Sequence, residues 1–378
     1  MKKELLEAIA TLAGTVIGAG ILGIPYIVQK TGFMVGLAYI IIIGLSVMIV
    51  NLCLGEVVLR TEGKHQLTGY AQKYLGKYGK WLMTFSMVVG IYGALTAYTI
   101  GEGSSFSAIF GGSSIVYGLI FFAIMMVLIA IGLKAIERSE IILNILKIST
   151  FAVIVFLALS SKFFDFSNLS QVNLSNMFLP YGVILFAFLG AAAIPELKEE
   201  LEKNKKDLKK AIVFGSLIPL IIYAIFTFIV IAVNGASTTE IATIGFGELF
   251  GKNMLIIVNI FAIITMATSF VALGLALREM YEYDFKLKNY IAFGLVGIVP
   301  LAIFLSGWHS FVNTLGITGA VAGGIEGILL ILMFWKAKKL GKRKPEYEIK
   351  INKFVGSLLI AIFIAGIVYV VANLAGFI

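Results

Sequence analysis

Apolar residues along this chain come in runs of about twenty, parted by short polar or basic stretches. They show neither the alternation of half-buried strands nor the one-sided stripe of a surface helix. A helical run of that length crosses a hydrocarbon core of roughly 30 Å. Eleven such segments are predicted, over residues 7–31, 33–60, 81–105, 113–133, 139–160, 177–196, 208–234, 252–280, 288–306, 309–335 and 352–377. The expected fold is an all-α membrane protein.

Two segments are interrupted in their middle. The first reads GTVIGAGILGIP from Gly14 to Pro25, with Gly18, Gly20 and Gly23 spaced G-x-G-x-x-G. A dinucleotide-binding turn of that spacing needs a strand before it and an acidic residue about 20 positions later. Here the glycines sit inside an apolar run, so that reading fails. Glycine weakens a helix interior by about 1 kcal/mol, and proline removes a bond and clashes with the preceding turn. The helix is therefore expected to unwind near Gly18 to Gly20, which lipid tolerates only where protein or a water-filled cavity serves the freed backbone.

The sixth segment repeats the device: GAAAIP at Gly190 to Pro195 echoes GILGIP at Gly20 to Pro25. Five segments separate the two copies, so they cross the membrane in opposite directions. Matched interruptions of this kind mark inverted repeats and the binding site between them. The repeats would be residues 1–160 and 161–335, with 336–378 forming a cytoplasmic loop and the last helix. The competing reading is that small residues only let helices pack closely.

A broken helix exposes amides at one end and carbonyls at the other, which suit a carboxylate and an ammonium respectively. An amino acid carries both groups. The amides of Gly18, Ala19 and Gly20, beside Thr15, are expected to hold the carboxylate, and the carbonyls of Leu185, Phe186 and Phe188 the amine. Gly190 and Ala191 are further candidate contacts, and Ala191 and Ala192 beside the sixth break leave room for a medium or large apolar side chain. Tyr92 and Thr96 in the third segment are candidate contacts, with ordinary helix packing as the alternative for each.

Charge adds orientation. The chain has 60% hydrophobic and 13% charged residues, a net charge of +9 and a mean hydropathy of +0.99. Of its 30 Lys and Arg residues, all but Lys30, Lys147, Lys162 and Lys252 fall on one side of the predicted topology. That asymmetry predicts a multi-pass protein of the cell membrane with its amino terminus in the cytoplasm and its carboxyl terminus outside. The positive charge is thus a topology signal, with the lipid bilayer and not a nucleic acid as partner. The single Cys53 excludes an intramolecular disulfide.

Enzyme chemistry has no support. His65 and His309 fall on opposite sides, no ligand cluster is spaced for a metal, and no phosphate-binding G-x-x-x-x-G-K motif is present. No cofactor is expected beyond a coupling ion. A channel would favour a repeated pore-lining ring over one asymmetric site. A nutrient receptor with this architecture remains an alternative, and oligomeric state is not specified.

Charged residues inside the segments are by default functional. Lys147 lies about eight residues inside the fifth segment, roughly 12 Å deep, while Thr268 and Glu326 lie about 15 Å deep, ten residues from Arg278 and Lys336. Glu326 is read as a proton relay, a substrate contact or a packed acid. Glu56 and Arg60 read as a plain helix pair. Glu196, past Pro195, is expected to help close an inner gate.

The stretches TVIGAGILGIPY and PYGVILFAFLGAAAIPE resemble the amino acid, polyamine and organocation transporter superfamily, with the amino acid/auxin permeases and bacterial aromatic amino acid permeases as the most similar branch. The resemblance implies a leucine-transporter-like fold: a five-plus-five inverted repeat with one extra helix, helices 1 and 6 broken, working by alternating access. It also implies where a coupling ion would sit. In sodium-coupled relatives the ligands would fall on the carbonyls of Gly14, Ile17 and Thr265 and the hydroxyls of Thr268 and Ser269. In proton-coupled relatives a fifth-segment lysine takes that place, and KAIERSEIILNILK, ending at Lys147, resembles theirs. Proton-coupled uptake of a neutral, apolar or aromatic amino acid is the expectation; sodium coupling and uncoupled exchange are the alternatives.

Overall fold

The structure, a computed structural model, describes residues 3–132, 149–283 and 285–376. Among these residues every regular element is helical. The first predicted segment is two helices, α1 (Lys3–Val16) and α2 (Gly20–Thr31), bent by 54° at the glycines between them. α3 (Phe33–Leu59) follows, then α4 (Leu67–Phe110) and α5 (Ser114–Ile131). α4 departs from the expected 81–105. Its helix starts fourteen residues earlier, passing a non-helical Gly76 at φ 73°, and runs to Phe110, where Gly111 at φ 76° ends it. Only a residue without a Cβ holds such left-handed conformations without strain.

α6 (Ser149–Leu159) is the described part of the fifth segment, and Lys147 lies outside the described residues. The sixth segment is again two helices, α7 (Pro180–Ala187) and α8 (Ile194–Glu200), joined by a 3-10 turn over Ala191–Ala193. Then come α9 (Leu208–Asn234), a short α10 (Ala242–Leu249), α11 (Lys252–Tyr283) and α12 (Asn289–Leu305). The tenth segment is α13 (Phe311–Thr318), one π turn at Gly319–Gly323 and α14 (Gly324–Leu340); α15 (Lys353–Leu374) is last. Among the described residues eight helices, taking directly abutting pieces together, are long and apolar enough to cross a membrane, nine with the bent first pair, while α6 and α12 are shorter apolar helices.

α4 is the central post, packed against α5, α11, α12, α13 and α14, while α9 backs α1, α2 and α3. Helices without water between them associate through close packing, so small residues stand where backbones meet. A Cβ on Gly20 would lie 2.6 Å from both Cα and Cβ of Ala187. The two interruptions therefore touch, and only glycine at position 20 lets them. The π turn sits in GAVAG, directly before Glu326, and π turns of this kind recur at functional sites.

The basic face is tied down by polar contacts. Lys64 Nζ reaches Glu199 Oε2 at 2.5 Å, Lys198 Nζ donates to the carbonyls of Thr61 and Gly63, and Thr11 Oγ1 donates to Glu200. The polar contacts at this end of α8 thus include Glu199 and Glu200, one turn beyond Glu196. The loop after α14, which carried no specific expectation, is docked: Tyr347 donates its hydroxyl to the Leu52 carbonyl, and Arg343 donates to that of Leu59.

Candidate functional site

The site forms where α1 stops. Ile17 N still donates to Ala13 O, but Gly18 N turns back to Val16 O at 2.8 Å, and the helix restarts at Gly20. No side chain caps α2, so its leading amides face the break. The carbonyl ends of both breaks are joined by a residue that sequence reasoning missed. Tyr223 of α9, fully buried, places its hydroxyl 2.6 Å from Val16 O and 2.9 Å from Ala187 O. One hydroxyl proton is shared between two interrupted helices.

The amine carbonyls expected at Leu185 and Phe186 take local bonds, from Phe188 N and Leu189 N at 3.2 and 3.1 Å. Ala187 O, beside Tyr223, is the carbonyl that faces the first break. Around Gly18 a hydroxyl pair closes the other wall. A Cβ on Gly18 would meet Ser269 Oγ at 3.7 Å and the Tyr98 hydroxyl at 4.0 Å, so both hydroxyls stand beside this glycine. Tyr98 was also missed, since one tyrosine in an apolar run carries no motif.

The remaining candidates divide. Thr15 Oγ1 donates to Thr11 O, and Thr96 Oγ1 to Tyr92 O, both within their own helix. Tyr92 points elsewhere: its hydroxyl bonds Tyr281 at 2.8 Å and the Leu295 carbonyl at 3.1 Å, which ties α4 to α11 and α12. Neither Tyr92 nor Thr96 offers the break a free hydroxyl, because each already has a partner. Of the cation set, Gly14 and Ile17 sit beside the break, Thr268 donates back to Ile264 O and Thr265 O, and the buried Thr265 hydroxyl has no partner. Among the described residues no three His, Cys, Asp or Glu side chains converge on a metal.

Glu326 belongs to a second cluster. It lines a narrow cavity with Asn51, Leu189, Gly190, Ala191 and Phe363, against the outer side of the sixth-segment break. It makes no hydrogen bond or ion pair among the described residues, and neither does the buried Asn51 Oδ1 in the same cavity. Gly190 and Ala191 thus face Glu326 on one side, while a Cβ on Gly190 would strike Val16 of the first break on the other, at 2.6 Å.

A bundle of apolar helices whose two interrupted members meet at a polar centre is an architecture suited to a membrane transporter. The comparisons agree. The family model of the tryptophan/tyrosine permeases matches residues 1–372, and the chain belongs to that family. Its members are transporters and not enzymes. The chain is 26% identical over 359 residues to tyrosine-specific transport system 1 of Haemophilus influenzae, covering 88% of each chain. It is 24% identical over 362 residues to glutamine transporter 2 of Aliivibrio fischeri, covering 92% of each. Among solved structures, MhsT in complex with L-phenylalanine superimposes with a TM-score of 0.68 at 16% identity, over 97% of both chains, and so has the same fold.

Proposed function

We propose that this protein is a secondary active transporter that takes up a neutral, apolar or aromatic amino acid together with a proton by alternating access. The observation that carries the reading is the contact of the two breaks at Gly20 and Ala187, spanned by the Tyr223 hydroxyl. There, the amides after Gly18 and Ala19 receive the carboxylate, and the Ala187 carbonyl, which keeps a second lone pair beside Tyr223, receives the ammonium. Tyr98 and Ser269 stand beside Gly18 to complete the polar wall. The relatives named for tyrosine and the phenylalanine held by MhsT support an aromatic substrate. A glutamine-named relative keeps the class at neutral amino acids.

The architecture belonging to this reading has eleven spans as a five-plus-five inverted repeat, residues 1–160 and 161–335, with 336–378 completing the chain. The amino terminus is cytoplasmic and the carboxyl terminus external, in the cell membrane. Lys147 serves as the coupling group, bridging the first and eighth spans when protonated and letting them part when neutral, and Glu326 relays protons on the outer side of the sixth break. Sodium held by Gly14, Ile17, Thr265, Thr268 and Ser269 is the second reading, favoured by the unpartnered Thr265 hydroxyl one turn from Ser269.

The experiment is binding of labelled tyrosine to Gly20→Val. A branched side chain at 20 must push Ala187 away, since even its Cβ lies at 2.6 Å. Binding should be lost while the protein stays folded by circular dichroism, and undiminished affinity rejects the site. Lys147→Ala should bind tyrosine but lose accumulation driven by a pH gradient; retained accumulation moves the coupling group elsewhere.

A further inference from the structure

The third span holds a carboxyl group that nothing above employs. Glu102 of α4 is 0% exposed, and neither of its oxygens has a hydrogen-bond partner among the described residues. Ser105, one turn along the same face, is equally buried with its hydroxyl unpaired. α4 and α11 run antiparallel here: Tyr98 and Ser269 both reach Gly18, and one turn along, a Cβ on Gly101 would press on Met266. That register sets Glu102 level with Thr265, whose buried hydroxyl is also unpaired. A line of hydroxyl groups at Thr265, Ser269 and Tyr98 thus leads from Glu102 to Gly18 at the first break.

An ionised carboxylate without a donor is too costly in such an interior. In this conformation the group therefore carries its proton. Among the described residues the other elements packed here bring no counter-charge. On α5 the titratable group is Tyr117, engaged with Phe106 and Phe110. On α11 the charges stand at the ends, Lys252 and Arg278 to Glu282. Between α12 and α13, His309 packs its ring on Phe304; α12 itself has only Tyr290 near its far end, and α14 its Glu326 in the other cavity.

We propose that Glu102 is a proton-binding site of the transport cycle, holding a proton while α4 and α11 are closed and exchanging it with water when their interface opens away from the basic face. The step is one proton onto a carboxylate oxygen and the same proton off again, driven by the pH gradient. It rests on the proton-coupled reading given above.

The test uses the full-length protein in proteoliposomes with a lumenal pH dye and labelled tyrosine. Wild type should exchange tyrosine and, in net uptake, acidify the lumen. Glu102→Gln, a permanently neutral side chain, should keep exchange within about twofold of wild type, lose at least tenfold of the proton-driven accumulation, and show a flat pH profile. Glu102→Asp, which keeps the titrating group, should restore accumulation with a displaced pH profile. Wild-type accumulation and acidification in Glu102→Gln overturn the proposal. If Glu102→Gln does not fold, an undisplaced profile in Glu102→Asp overturns it equally. Wild type that exchanges tyrosine but carries no protons fails before any variant is compared, and rejects the coupled reading itself.

Discussion

Glu56 and Glu102 are both 0% exposed glutamates on long membrane helices, and their surroundings are opposite. Glu56 has Arg60 at 2.8 Å, Lys338 at 3.5 Å and the Ile349 amide at 2.6 Å, so it fastens the loop after α14 onto α3. Glu102 has nothing. Burial alone therefore does not tell a structural acid from a working one. A carboxylate with its donors in place is a clamp, whereas one left without donors must hold a proton and is able to release it.

The comparison breaks first at Glu56. Replacing it by Ala leaves a buried hole and takes the acceptor from the Ile349 amide, while Arg60 keeps Glu348, and should cost about 2–3 kcal/mol. Thermal unfolding in detergent measures it, and tyrosine affinity of the surviving protein should be unchanged. Glu102→Leu sharpens the contrast. It removes an unsatisfied group and no bond, so the melting temperature should hold or rise while proton-driven uptake disappears.

Tyr223→Phe comes next. Loss of the hydroxyl shared by Val16 and Ala187 should destabilise by about 1–2 kcal/mol and weaken tyrosine binding, as read by equilibrium binding and melting. The smallest effect is expected for Lys64→Ala, an exposed pair with Glu199, with no measurable change in melting temperature. Its hydrogen bond to Glu199 holds the Lys64 ammonium above the usual lysine range. A raised basic group contributes fully below its unfolded value and loses that contribution only as the pH climbs through the folded one. Any pH dependence of transport near neutrality therefore comes from other groups.

Much of this was legible in the chain. Gly and Pro placed in apolar runs announced both interruptions, because few other residues end a helix so abruptly in lipid. Glu326 and Lys147 stood out by their depth in their segments. Glu102 did not, for a definable reason. With the third segment ending at 105 it sits about 4.5 Å from the end and reads as interfacial; the helix continues to Phe110 and puts it about 12 Å deep. Tyr98, Tyr223 and Asn51 were hidden differently. None carries a motif in its own segment, and its surroundings come from other helices, 36 residues away for Tyr223 and Ala187 and 207 for Tyr223 and Val16.

The most direct measurement is uptake of labelled tyrosine, tryptophan, phenylalanine and glutamine by proteoliposomes, with an inward proton gradient in sodium-free buffer and again with a sodium gradient at symmetric pH. Accumulation of an aromatic amino acid under the proton gradient alone is the predicted result. Accumulation that requires sodium, or bound substrate without flux, contradicts it.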